Sequence, residues 1–270
     1  MHPMLNIAVR AARRAGTVIV RGQQRLYEVK ITRKGHQDYV TQIDKDAESA
    51  IIDTLLTAYP DHQIIAEESG TSGRDGDYVW LVDPLDGTLN FIHGYQHFAV
   101  SIALVVRGRV EQAVVYDPMR DELFTASRGA GAQLNGHRLR VSKVQHLEEA
   151  LLATGFPVRR KAHIKPFLAS FTTVLERCAD VRRAGAAALD LAHVASGRLD
   201  GFWEFGLQQW DIAAGALLVQ EAGGLVGDPD GGENHMDKGD IVAGNPKVFR
   251  QLLGALASRE GGRAATAAQL

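Results

Sequence analysis

Residues 80–91 read WLVDPLDGTLNF, and the reading of the chain turns on them. An apolar run ending in Trp80-Leu81-Val82 predicts a strand that delivers Asp83 at its C-terminal end. Pro84 holds the backbone at Asp83 extended, because its ring disfavours helical geometry in the residue before it. Asp86 follows, and Asp86-Gly87-Thr88 reads as a helix start whose free N–H groups face an anion. Two carboxylates and a phosphate cradle can thus converge within one short segment. Oxygen ligands of this kind suit a hard cation such as Mg²⁺. The plainer alternative is a strand, a turn and a capped helix with no ligand.

Outward from this segment lie three more acidic elements. Glu67 and Glu68 follow an apolar strand in IIAEESG, residues 64–70. Paired glutamates at a surface are ordinarily just solvated. Asp211 opens the small-residue helix of QQWDIAAGALLVQEAGG, residues 208–224, where an aspartate is most often a cap. Asp38 and Asp44 occur in DYVTQIDKDAE, residues 38–48, ahead of a helix expected over 44–58. Apart from the first, each is weak alone. Together they supply separated carboxylates at strand ends and helix starts, which is how a multi-carboxylate metal centre is assembled from distant sequence.

The remaining pattern predicts one α+β unit over residues 1–260, with two lobes meeting near residue 150 and a frayed tail over 261–270. Residues 4–20 carry Leu5, Ala8, Val9, Ala12, Val18 and Ile19 at helical spacing, with Arg10, Arg13 and Arg14 toward solvent. The middle reads as consecutive strands (FAVSIALVVRG, RVEQAVVYDP, DELFTASRG, GAQLNG) with turn signals at Arg107-Gly108 and Asn135-Gly136. Beyond 151, strands alternate with helices expected over 163–179, 186–196, 209–222 and 246–258.

Composition narrows the function. Of 270 residues 45% are hydrophobic, and the formal net charge of −2 gives no electrostatic case for a dedicated nucleic-acid binder. The arginines interrupt any N-terminal apolar leader, and no run approaches the ~20 apolar residues of a spanning helix. Cys178, the single cysteine, excludes an internal disulfide and reads as a small filler in a helical stretch. A cytoplasmic protein with no membrane role is the expectation.

VTQID, AEESG, WLVDPLDGTLN and WDIAAGALLVQEAGG, in this order, resemble the signatures of the inositol monophosphatase family. The resemblance covers roughly residues 5–255. VVYDPMRDELFTASRGAGAQLNG and ATGFP look especially like its bacterial SuhB-type members. The resemblance implies a layered αβαβα sandwich, a homodimer, and Mg²⁺-dependent hydrolysis of myo-inositol 1-phosphate or a similar polyol or sugar monophosphate. It implies about two to three Mg²⁺ ions per subunit. Glu67, Asp83 and the Leu85 carbonyl would hold the first, Asp83, Asp86 and Asp211 the second, and Glu67 a third. Asp44 would support the site with Thr88. Lys34 and Asp38 would lie on a mobile loop, Gly87 and Thr88 would contact phosphate, and Ala187, Glu204 and Asp211 would face the polyol hydroxyls. Metal-activated water would attack phosphorus, with Glu67 and Thr88 relaying its proton. Sensitivity to Li⁺, common in such relatives, is a further expectation.

Leu89 departs from the threonine usual in the family, with a change of packing or turnover expected, and Gln96 and Gln209 loosen backbone restraints. Related phosphatases act on fructose bisphosphate, phosphoadenosine phosphate or histidinol phosphate, so the substrate stays open. SuhB-type proteins are also associated with ribosomal RNA transcription antitermination. On that alternative the chain is mainly an interaction factor, with Arg159-Arg160-Lys161 and Arg182-Arg183 as candidate surfaces. His93 and His97 read as packing residues, Trp203 and Trp210 as core, and Asp228 and Asp230 as a surface turn.

Overall fold

A computed structural model describes residues 2–35, 38–157 and 161–257. The tail expected from Gly261 lies outside them. Helix α1, Pro3–Gln24, starts where the His2 imidazole accepts the Met4 N–H at 3.2 Å. It buries Leu5, Ala8, Ala11, Ala12, Ala15 and Ile19 and leaves Arg10, Arg13 and Arg14 exposed, as the helical spacing required. After the hairpin of β1 (Ile31–Gly35) and β2 (Asp38–Thr41) comes α2, Gln42–Ala58. It begins ahead of the expected residue 44 because Thr41 is its cap and Asp44 closes a capping box back onto Thr41.

Strands β3 (Gln63–Ala66), β4 (Gly70–Gly73), β5 (Tyr78–Asp86), β6 (Ala99–Val106), β7 (Arg109–Asp117), β8 (Glu122–Ser127), β9 (Gly131–Leu134) and β10 (His137–Arg138) form the large sheet. Its order is β10-β9-β8-β7-β6-β5-β3-β4. All pairs are antiparallel except β3 with β5. Two turn signals explain the hairpins. Arg107 and Gly108 have φ of 50° and 77°, Asn135 and Gly136 49° and 83°, the left-handed pairs that suit two-residue connections. Strand β5 does not stop at Asp83 as expected. It resumes at Asp86 after an irregularity, pairing Asp83 with Ser101 and Asp86 with Ala99. Pro84 lacks an N–H and is tolerated because it sits in that interruption.

The second sheet comprises β11 (Leu151–Thr154), β12 (Asp180–Arg182), β13 (Gly201–Glu204), β14 (Leu225–Gly227) and β15 (Ile241–Gly244), in the order β12-β11-β13-β15-β14. The helices are α3 (Thr88–Ile92), α4 (Lys161–Leu175), α5 (Ala187–Ala195), α6 (Gln209–Glu221), α7 (His235–Lys238) and α8 (Pro246–Ala257). Helix α4 ends at Leu175, not near 179: the chain turns there, Arg177 N–H bonding Val174 O at 2.9 Å. Cys178 is therefore outside the helix and only half-buried.

Three cores stack these elements. Alternation along β5 sends Trp80 and Val82 to a core shared with α1 and α2, and Leu81 to the opposite core, shared with α5 and α6. Ala153, Phe202, Ile241 and Ala243 of the second sheet close that middle core. The second sheet's other face, with Leu152, Trp203 and Val242, packs on α4 and α8. The layers are therefore helix, sheet, helix, sheet, helix, the expected αβαβα order. Small residues on the inner face of the large sheet (Ala99, Ala103, Ala113, Ala126) let α5 and α6 lie close to it. Gly215 of α6 is required by α5: a Cβ there would stand 2.5–3.1 Å from Leu191.

Candidate active site

Where β3 and β5 end, the parallel register decides the chemistry. Ala66 pairs with Val82, and the Glu67 N–H bonds Val82 O at 3.1 Å, so Glu67 and Asp83 stand side by side. The Asp83 carboxylate is buried, and its Oδ1 accepts the Leu85 N–H at 2.9 Å. Asp86 reaches across the middle layer. Its Oδ2 accepts the Ala188 N–H at 2.7 Å and so caps α5, whose own N-cap residue, Ala186, has no capping side chain. Asp211 joins from the first turn of α6, one oxygen accepting the Gln208 N–H at 2.8 Å. The Ser101 hydroxyl donates to Trp210 O at 2.9 Å and fixes the start of that helix.

The turn after β5 is a helix start, as expected: Gly87 is the N-cap of α3, which is a single short turn. What the segment provides is close backbone approach. Gly87 has φ +97°, and a Cβ would stand 3.0 Å from His97 O and 3.1 Å from the Phe98 side chain. Thr88 Oγ lies 2.9 Å from Asp44 Oδ1 and 3.1 Å from Leu85 O. Asp44 is fully buried, and its Oδ2 accepts both the N–H and the hydroxyl of Thr41. Burial raises the Asp44 carboxyl, and the bonds from Thr41 and Thr88 oppose that rise. Asn90 Nδ2 donates to His97 O at 2.7 Å and Ala184 O at 2.9 Å, tying this turn to the approach of α5.

Glu67, Asp83, Leu85, Asp86, Gly87, Thr88, Ala187, Glu204 and Asp211 all line one cleft of about 440 Å³ between the two sheets. Asp44 lies behind Thr88. Lys34 and Asp38 belong to β1 and β2, but their side chains are outside the described residues; Tyr39, beside Asp38, lines the cleft. Leu89 is a cleft-mouth residue, 48% exposed, rather than a packing residue. The Gln96 carbonyl accepts from Arg120 at 3.0 Å, and Gln209 is the first residue of α6.

The cleft is electrostatically costly. Burial pushes the Asp83 carboxyl well above its ordinary range, and the charges of Glu67, Asp86 and Asp211 push it further. Burial takes Asp86 up to about 7 against the pull of the Ala188 N–H, with Glu204 and Glu67 adding. Among the described residues no three His, Cys, Asp or Glu side chains are already gathered as a closed metal cage. The donor set nevertheless fits a hard divalent cation: it is all oxygen, its charges raise one another's proton affinity, and a cation would relieve that repulsion.

Sequence reasoning missed several residues here. Asp190 is 2% exposed, and burial first, then Glu204 and Asp86, holds its carboxyl well above normal, with Arg183 opposing. Its signal was a lone acid in the apolar run AALDLAHVA. Gly155 is one inconspicuous residue of ATGFP in the sequence, yet a Cβ there would overlap the Glu204 carboxylate. Arg183 lies over the Phe156 ring at 5.1 Å and lines the cleft, while Arg182 pairs with Asp180 at 2.5 Å. Both arginines are exposed, so Arg182-Arg183 stays open to solvent. The other basic cluster, Arg159-Arg160-Lys161, has its side chains outside the described residues.

The plainer readings hold in part. His97 is a buried packing residue with its ring 6.0 Å from that of His193, whereas His93 is exposed; Trp203 is fully buried, and Trp210 is half-buried against the middle core. The Lys238 ammonium bonds Asp228 at 3.0 Å and Asp230 at 2.7 Å, filling their turn. No helix among the described residues is long and apolar enough to cross a membrane.

A sequence profile of the inositol monophosphatase family matches residues 1–261. The Nus factor SuhB of Escherichia coli K12 is 57% identical over 254 residues, 94% of this chain and 95% of that protein. The extragenic suppressor protein suhB from Bartonella henselae superposes with a TM-score of 0.92 at 44% identity, over 94% of this chain and 98% of that one. An inositol monophosphatase from Anabaena superposes at 0.84 with 40% identity, over 94% and 95%. By profile, identity and superposition, the chain belongs to the inositol monophosphatase family of phosphatases.

Proposed function

We propose that the protein is a Mg²⁺-dependent phosphomonoesterase acting on a small polyol or sugar monophosphate, with myo-inositol 1-phosphate foremost. The observation that carries this is the gathering of Glu67, Asp83, Asp86 and Asp211 around one cleft that also holds Gly87, Thr88 and Glu204. Those four carboxylates and the Leu85 carbonyl would hold the ions. Bound Mg²⁺ supplies acidified water and charge neutralisation at phosphorus.

The chain's own groups do the rest. Thr88 donates its hydroxyl hydrogen to Asp44 Oδ1, so its Oγ can accept a hydrogen bond from the attacking water and relay the water's proton by passing its own to the Asp44 carboxylate. Glu67, at the neighbouring strand end, is the second acceptor. Gly87, whose left-handed backbone packs where a Cβ would press on His97 O and Phe98, would present its backbone to the phosphate. The water oxygen bonds to phosphorus, the ester P–O bond breaks with its electron pair going to the polyol oxygen, and that oxygen takes up the proton released from the water, so the polyol leaves as its alcohol. Glu204 and Asp211 accept hydrogen bonds from ring hydroxyls, and Ala187, small and at the start of α5, leaves room for the ring. Lys34 and Asp38 complete the proposal on the β1–β2 hairpin.

Phosphate release from myo-inositol 1-phosphate, fructose 1,6-bisphosphate and phosphoadenosine phosphate, with and without Mg²⁺, tests this. Mg²⁺-dependent release from the inositol ester is the expected result. Release only from another ester replaces the substrate; release from none refutes the catalytic proposal.

A second role is supported by the name of the Escherichia coli relative, a Nus factor. Co-purification with the transcription elongation machinery, retained by an Asp86→Asn variant, is the expected result if the chain also serves there. A homodimer belongs to the proposal as well. Ile164, Leu168 and Leu175 leave apolar side chains exposed along α4, as an interface between copies would need. Sedimentation at micromolar concentration reads the state directly.

A further inference from the structure

Helix α2 carries two buried carboxylates one turn apart, Asp44 and Glu48. Such a spacing puts both on one helix face. Asp44 supports Thr88. Glu48 does something else: its Oε2 accepts the Glu68 N–H at 2.8 Å and its Oε1 accepts the Ser69 N–H at 2.9 Å. Those amides belong to the turn 67–69 that joins β3 to β4, closed by Gly70 at φ +74°. Glu67 is the first residue of this turn, and its own N–H is held by Val82 O at 3.1 Å. The turn is thus pinned to β5 on one side and to α2 on the other.

The pinning has work to do. Glu67 is the largest of the neighbouring charges acting on Asp83, so the two carboxylates push each other apart. Ser69 is exposed, and a short turn open to water would relax away from that repulsion unless its backbone were held. A carboxylate is the side chain for the task, since two amide hydrogens need two acceptor oxygens. A glutamine offers one acceptor and turns an NH₂ toward the second N–H.

We propose that Glu48 is a positioning residue that, by gripping the amides of Glu68 and Ser69, fixes Glu67 beside Asp83 and so sets the affinity of the cleft for a divalent cation. The proposal rests on the metal chemistry argued above, and its test separates the two. Mg²⁺ binding is measured by calorimetry on the metal-free full chain, its Glu48→Gln variant and its Thr54→Val variant. Thr54 lies on the same helix, is buried, and bonds Arg14 away from the turn, so its loss lowers stability without touching the grip. Outer-shell partners of metal ligands typically contribute about 10–100-fold to affinity. Glu48→Gln is expected to weaken Mg²⁺ binding at least about tenfold, and to leave the ester KM at saturating Mg²⁺ within about twofold. Thr54→Val is expected to leave Mg²⁺ affinity within the same twofold.

Equal Mg²⁺ affinity for Glu48→Gln and the parent overturns the proposal and leaves the phosphatase reading intact. An equal loss in Thr54→Val also overturns it. Glu48-dependent Mg²⁺ binding with no ester hydrolysed upholds it and sinks the phosphatase reading; no Mg²⁺ binding by the parent sinks both. Should Glu48→Gln not fold, amide exchange of the parent decides. Slow exchange at Glu68 and Ser69 is expected, and exchange at the rate of a free turn overturns the grip.

Discussion

Replacing Gly155 by Ala probes how the second sheet serves the cleft. Gly155 follows β11, and the parallel register of Thr154 with Trp203 brings it beside Glu204 at the end of β13. Its backbone is outside the left-handed region, so alanine suits the main chain there. The obstacle is steric: the new methyl would occupy the space of the Glu204 carboxylate, both oxygens included. Glu204 must rotate away and would give up the hydrogen bond to a ring hydroxyl proposed for it. A hydrogen bond to a charged group contributes about 1.5–3 kcal/mol. At about 1.4 kcal/mol per tenfold, kcat/KM for the inositol ester falls roughly 10- to 150-fold. An aryl phosphate with no ring hydroxyls should lose no more than about twofold. Steady-state kinetics on the two esters provide the comparison, and a double-mutant cycle locates the cause. In a Glu204→Ala background the space is empty, so Gly155→Ala should then cost almost nothing. An undiminished effect in that background, or no effect in the parent, refutes the reasoning.

Other perturbations address the same architecture. Asp86→Asn should lower turnover at least about 100-fold, as loss of a catalytic electrostatic group does; near-normal turnover at limiting Mg²⁺ contradicts the ligand assignment. Gly215→Ala forces a methyl against Leu191 and should cost about 1–3 kcal/mol in urea unfolding while sparing KM. Burial lowers His193 to about 4, so the unfolded chain takes up a proton first and stability rises with pH between about 4 and 6.5, by at most roughly 3 kcal/mol. Asp86, raised to about 7, acts oppositely: the folded chain keeps its proton between about 4 and 7, and stability falls as pH rises there. Thermal melts should therefore climb with pH more steeply in Mg²⁺ than in chelator, and parallel slopes would contradict it.

The legible parts of this chain were those fixed by local rules. QIIA is a strand of the expected length, and the positive-φ pairs at Arg107-Gly108 and Asn135-Gly136 were written as turns. DPLDGT could be recognised because its residues are neighbours in sequence as well as in space. What was not legible depends on register between distant segments. Glu48 reads as an ordinary helical glutamate until the turn 67–69 is seen above it, twenty residues on. Gly155 reads as a loop glycine until β11 and β13 are paired. Strand β5 reads as ending at Asp83, before Pro84, because only the antiparallel partner, Ala99 opposite Asp86, shows that the ladder resumes.

A common device underlies the cleft. Asp83, Asp86 and Asp211 each commit an oxygen to a backbone N–H, of Leu85, Ala188 and Gln208. Asp44 commits one to Thr41, and Glu48 commits both to Glu68 and Ser69. Most of these donors sit at turns or at helix starts, where the first N–H groups have no partner within the helix. The fold therefore uses bonds it must satisfy anyway to aim carboxylates that would otherwise repel one another apart. An Asp→Asn change at such a position removes a charge but can keep the backbone bond, through the amide oxygen. Asp→Ala removes both. For Asp86, whose partner is the start of α5, only the alanine variant should loosen that helix, visible as faster amide exchange at Ala187 and Ala188. Equal exchange in the two variants would mean that Asp86 serves the cleft without holding the helix.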